Sequence, residues 1–151
     1  MPHIKAQDEI VIKATVKDVW KVLVDFQHYQ DWWPKYVNLK ILKLSEAIVG
    51  TKFKANPLGG KSFACRVISI IPNQEINLEY IDGIYRGSGY WNLESKEGLV
   101  NVSYIVDLET VNKSIALLSK LISISKIHSL IFKNILKGLD KQITIKHISR
   151  Q

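Results

Sequence analysis

The side chains able to do chemistry in this 151-residue chain are few and widely spaced. His128 is the most informative of them. Helical counting at ~100° per residue puts it on the apolar face of a C-terminal segment, flanked by Leu121, Ile124, Ser125, Phe132 and Ile135. There an imidazole either orients or protonates a polar atom of a bound molecule, or packs in the core against a strand side chain or water. Trp91 shares a strand with Gly89 and Leu93. Tyr80, Tyr85 and Tyr104 are candidate neighbours, because a buried hydroxyl needs a partner that protein or ligand must supply. Arg66 and Arg86, two of only three arginines, either reach inward toward a carbonyl or carboxylate or sit on an outer sheet face. Cys65 has no histidine nearby in sequence, so nucleophilic catalysis has no support. Glu75, Glu79, Asp82 and Asp107 read as solvated charges, and no His/Asp/Glu group has metal-ligand spacing. Pro57-Leu58-Gly59-Gly60-Lys61 lacks the full phosphate-loop spacing and falls between strands, which makes it a hairpin loop.

The elements that must position these residues follow from periodicity. Ile4–Lys13 reads as a strand. Thr15 with Asp18 three residues later resembles a capping box, and Val16, Val19, Trp20, Leu23 and Val24 have the spacing of a short amphipathic helix. A second short helix holds Phe26 to Asp31 and stops at Trp32-Trp33-Pro34, since the residue before proline is pushed out of the α region. The two tryptophans either line a pocket mouth or close the gap between helix and sheet. Six strands follow, Val37–Leu44, Thr51–Asn56, Ser62–Ile71, Ile76–Ile81, Tyr85–Glu94 and Val100–Glu109, separated by turn residues as in an antiparallel meander. In the last of them Val100, Val102, Tyr104, Val106 and Leu108 share one face, with Asn101, Ser103 and Asp107 on the other. A long helix is expected from about Lys113 to Ile145. Leu121, Phe132, Ile135, Leu136, Leu139 and Ile143 fall in its apolar sector, and Lys126, Lys133, Lys137 and Lys141 lie opposite.

The composition, 46% hydrophobic and 23% charged, is that of one globular domain spanning residues 1–151. A lone cysteine excludes an internal disulfide framework and, with no apolar leader visible, a cytoplasmic location is expected. The net charge of +7 is local. Residues 1–109 carry 13 Lys+Arg and 13 Asp+Glu, whereas residues 110–151 carry eight Lys+Arg against only Asp140. Lysines outnumber arginines 18 to 3, which argues against phosphate recognition by bidentate forks and against nucleic acid as the partner. The lysine stripe is either solvent decoration or a reversible contact with an anionic membrane surface, where a lysine contributes ~1 kcal/mol.

One long helix cannot fill the concavity of a strongly curved seven-stranded sheet, so an apolar cavity between the two is expected. The element order, with its residues, resembles the START-like superfamily (SRPBCC, or helix-grip), and specifically its polyketide cyclase/dehydrase and lipid-transport branch. The resemblance is carried by Ile10-Val11-Ile12-Lys13-Ala14-Thr15, by Val19-Trp20 with Leu23, Asp25, Tyr29 and Trp32, and by Trp33-Pro34. It continues through Gly50-Thr51, Val67 with Pro72 and Ile76, Tyr80-Ile81-Asp82-Gly83 and Gly89-Tyr90-Trp91-Asn92-Leu93, covering essentially the whole chain. It implies an α+β fold in which a curved seven-stranded antiparallel sheet wraps a long C-terminal helix, with two short helices after the first strand. It also implies a container for a hydrophobic small molecule such as a lipid, quinone or polyketide. His128, Trp91, Tyr80, Tyr85, Tyr104, Trp33, Phe132, Leu121 and Ser125 are then the expected lining, with no cofactor, no metal and no catalytic residue. Two alternatives stay open, an aromatic cyclase or dehydratase and an accessory module with a vestigial pocket. An inward His128 within hydrogen-bond reach of a tyrosine, arginine or carboxylate would favour the enzyme.

Overall fold

A computed structural model describes residues 3–57, 61–111 and 124–149. The chain runs β1 (His3–Lys13), α1 (Val16–Leu23), a 3-10 helix (Phe26–Asp31), β2 (Val37–Lys43), β3 (Lys52–Pro57), β4 (Phe63–Ile71), β5 (Glu75–Gly83), β6 (Tyr85–Lys96), β7 (Leu99–Thr110) and α2 (Ile124–Ser149). Thr15 caps α1 as expected, its hydroxyl accepting the Asp18 N–H at 3.2 Å. The second short helix is a 3-10 helix rather than an α-helix. It has only six residues between Asp25 and the chain reversal at Trp32-Trp33-Pro34, too few for α-helical hydrogen bonds to repeat.

The seven strands form one antiparallel sheet in the order β1-β7-β6-β5-β4-β3-β2. Strands β2 to β7 are a meander, and β1 lies beside β7 at the far edge. Period-2 alternation assigns the faces: Ile4 and Ile12 of β1, Val100, Val102, Tyr104, Val106 and Leu108 of β7, and Trp91 and Leu93 of β6 are buried. Ser103 departs from the expected solvated side and is buried, because β7 is flanked by Glu9 of β1 and Asn92 of β6 at that point. Register shifts between Ala64 and Cys65, between Val67 and Ser69 and between Ile41 and Lys43 add unpaired residues, which bend and twist the sheet around its apolar face.

Helix α2 covers that face. Phe132, Ile135, Leu136, Leu139 and Ile143 are buried, while Lys126, Lys133, Lys137 and Lys141 are exposed, as the 3.6-residue period requires. The start of this helix near Lys113, together with Leu121, lies outside the described residues. Among those described, no helix is long and apolar enough to cross a membrane. At Gly138 the helix passes against the backbone of Trp32 so closely that a Cβ would overlap the Trp32 carbonyl oxygen.

In an unconstrained helix Gly→Ala stabilises by about 1 kcal/mol. Here the added methyl has no room against backbone, so Gly138→Ala is expected to destabilise the fold by a net ~1–3 kcal/mol. Equilibrium urea unfolding measures the sign, and a stabilised variant would show that the close crossing does not constrain the helix.

Candidate functional site

The inner face of the sheet and the underside of α2 meet in a continuous run of rings. Trp91 and Tyr104 are cross-strand partners on β6 and β7, with ring centroids 4.8 Å apart. Phe132 of α2 lies flat on Tyr104, at 4.3 Å and parallel, and also touches Trp91 at 5.7 Å. His128, one turn earlier on the helix, stacks on Phe132 at 5.2 Å and 16°. In the other direction the Tyr104 hydroxyl bonds the Tyr80 hydroxyl at 2.7 Å, Tyr80 stacks on Phe63 at 5.4 Å, and Phe63 contacts Tyr85 at 5.3 Å. The structure thus brings together six of the nine residues expected from sequence: His128, Phe132, Tyr104, Trp91, Tyr80 and Tyr85.

Gly89 explains how the phenol pair fits. It is the cross-strand neighbour of Leu78 and Val106, and a Cβ there would collide with the Tyr104 hydroxyl. Any side chain at this position would displace the hydroxyl from Tyr80. Two buried phenols bonded to each other leave one hydroxyl hydrogen to be placed elsewhere. Burial pushes the Tyr80, Tyr104 and Cys65 groups to higher pKa, so all three stay protonated and Cys65 is a poor nucleophile.

Trp33 lies in a second aromatic cluster. It stacks on Tyr29 at 5.5 Å and meets Trp32 at 6.2 Å, and Phe26 and Phe53 complete the group. Both tryptophans are buried, and both indole N–H groups lack a hydrogen-bond partner. The Tyr29 hydroxyl donates to the Leu23 carbonyl, which fastens the 3-10 helix to α1. Leu121 and the side chain of Ser125 lie outside the described residues. Arg66 and Arg86 are not in the interior: Arg66 is a half-exposed partner of Glu79 at 3.5 Å, and Arg86 donates to the Gly83 and Tyr85 carbonyls near the β5–β6 turn.

His128 is partly buried, and its Nδ1 is out of solvent with no hydrogen-bond partner. Desolvation lowers its pKa from the ordinary 6.5 to about 4, so the ring is neutral at pH 7. No tyrosine, arginine or carboxylate bonds to Nδ1. Sequence reasoning overlooked Asp8. It belongs to the inward series Ile4, Ala6, Asp8, Ile10, Ile12, faces Tyr104 across the β1–β7 pairing, and is only 7% exposed. Ser129 of α2 donates to its carboxylate at 3.1 Å. Burial raises the Asp8 pKa, while the Ser129 hydrogen bond and the nearby Lys133 ammonium act the other way. Strict alternation along β1 was the signal that would have found it. Among the described residues no group of three or more His, Cys, Asp or Glu side chains could hold a metal ion.

A helix gripped by a curved seven-stranded antiparallel sheet is the architecture of START-like proteins. Solved structures share it along nearly their full length. A protein from Thermus thermophilus superimposes with a TM-score of 0.77 at 19% identity, over 96% of this chain and 99% of its own. A START superfamily protein from Mycobacterium smegmatis gives 0.72 at 12% identity, over 95% and 98%. The Zhui aromatase/cyclase from a Streptomyces species gives 0.69 at 15% identity, over 95% and 94%. No curated protein matches the chain in sequence. The family profile described as polyketide cyclase/dehydrase and lipid transport matches residues 12–131. The chain belongs to that family.

Because the folded state resists protonating His128, its stabilising contribution is complete above pH 6.5 and is lost as pH falls toward 4. The loss is on the order of 3 kcal/mol. Asp8, with its raised pKa, acts in the opposite direction and gains stability as it protonates. Comparing wild type with His128→Phe, which keeps a ring on Phe132, isolates the histidine. The stability difference measured by denaturant titration should shift in favour of the phenylalanine variant between pH 6.5 and 4. A pH-independent difference would mean that the imidazole is solvated.

Proposed function

We propose that the protein binds a hydrophobic small molecule of the lipid, quinone or polyketide class between α2 and the concave sheet face, and carries it without covalent chemistry. The observation that carries this reading is the buried, unpartnered Nδ1 of His128 at the end of the Phe132–Tyr104–Trp91 stack. A buried polar atom left unpaired costs about 1–3 kcal/mol. A ligand hydrogen-bonding group set in an apolar body removes that cost, and apolar area buried at ~25 cal/mol/Å² supplies the bulk of the affinity. The imidazole is neutral at pH 7 and its Nδ1 meets no acid or base among the described residues, which suits it to orienting a ligand.

One observation favours an enzyme. Asp8 is a buried carboxyl on the same sheet face with a raised pKa, as a proton-moving group in a cyclase or dehydratase would have. Its carboxylate accepts a hydrogen bond from Ser129 of α2.

Native mass spectrometry of gently purified protein, and of protein incubated with lipids and quinones, tests the reading. A one-to-one adduct is expected, with the ligand recovered chemically unchanged. His128→Phe should weaken binding of a carbonyl-bearing ligand by roughly five- to tenfold, the worth of one hydrogen bond, and leave a matched hydrocarbon unaffected. No adduct across the panel would leave an accessory module as the better description, and a ligand returned cyclised or dehydrated would establish the enzyme.

A further inference from the structure

The face of α2 turned away from the sheet combines charge with exposed apolar surface in a definite pattern. Lys126, Lys133, Lys137 and Lys141 are all exposed and span a sector of about 80° at 100° per residue, along roughly 22 Å of helix. Leu130 falls in the middle of that sector and is 63% exposed; Ile127, at its margin, is 37% exposed. A leucine ringed by lysines gains nothing in water. From Ile124 to Ser149 the helix holds five lysines against Asp140 alone. Asp8 of β1, buried beneath the helix and bonded to Ser129, also attracts Lys133.

From this pattern we infer that the outward face of α2 docks on an anionic lipid surface, with Leu130 entering the headgroup boundary and the lysines meeting lipid phosphates and carboxylates. Charge complementarity selects the occupant. Compact ammonium groups on apolar stems lie along an interface with stem down and charge up, whereas a nucleic-acid face would call for arginine forks or stacking rings, and this sector has neither. Each lysine close to an anionic leaflet raises partitioning about fivefold, so four in one sector give reversible rather than permanent attachment. The inference goes beyond ligand carriage and rests on this face alone, so vesicle binding and ligand binding succeed or fail separately.

Sedimentation of the full chain with phosphatidylcholine vesicles, with and without phosphatidylserine, tests it. Wild type should pellet with the anionic vesicles, and less so as salt is raised. The double change Lys126→Glu and Lys137→Glu should reduce partitioning by about twentyfold or more and flatten the salt dependence. Leu130→Ser should reduce it several-fold with the salt dependence intact. The control pair Lys40→Glu and Lys54→Glu, exposed cross-strand neighbours on β2 and β3, removes the same net charge and should leave binding near wild type. Equal pelleting with both vesicle types, equal loss in the control pair, or retention on heparin without vesicle binding would each overturn the proposal.

Discussion

At Gly138 two backbones touch, and the depth at which α2 sits in the sheet follows from that contact. Any side chain there would hold the helix away from the Trp32 carbonyl. Six residues earlier, about 9 Å along the axis, Phe132 reaches the plane of Tyr104 because the helix is seated low enough. The same seating buries Ile135, Leu136, Leu139 and Ile143 in the concavity and draws the Trp32 and Trp33 cluster against the underside of the helix. One missing methyl group therefore links the 3-10 corner, the helix and the ring stack on β6 and β7.

The interior has hydrogen-bonding capacity but little charge. His128 is neutral at pH 7, the phenols of Tyr80 and Tyr104 stay protonated against each other, and the Cys65 thiol is held up by burial. Asp8 is the one buried carboxyl among the described residues, and Ser129 engages it.

Much of this was legible in the sequence because two periods carry it. The 3.6-residue period separates His128 and Phe132 from the lysines, and the 2-residue period groups Tyr85 with Trp91 on one strand and Tyr104 with Val102 on the next. Where tertiary approach decides, the sequence was silent. Gly138 matters only because of what passes beside it, and Phe63 joins the rings through a β4–β5 pairing shifted by a bulge at Cys65. Arg66 was ambiguous until its register opposite Glu79 placed it on the outer face. Asp8 is different, since the alternation that reveals it was present in β1, and an acid in an apolar series passes easily for a surface residue.

The pairing of β1 with β7 bears on how the molecule comes into being. His3 lies opposite Glu109 and Lys13 opposite Leu99, so the edge strand made first waits for the strand made last. Hairpins from β2 to β6 can form during synthesis, but their apolar face stays uncovered until β7 and α2 emerge from the ribosome. Such non-local topologies fold on the order of milliseconds to seconds, and the open sheet is vulnerable to aggregation meanwhile. The grip that encloses the ring stack is thus the last feature of this domain to assemble, and the period before it closes is when a chaperone would have most to protect.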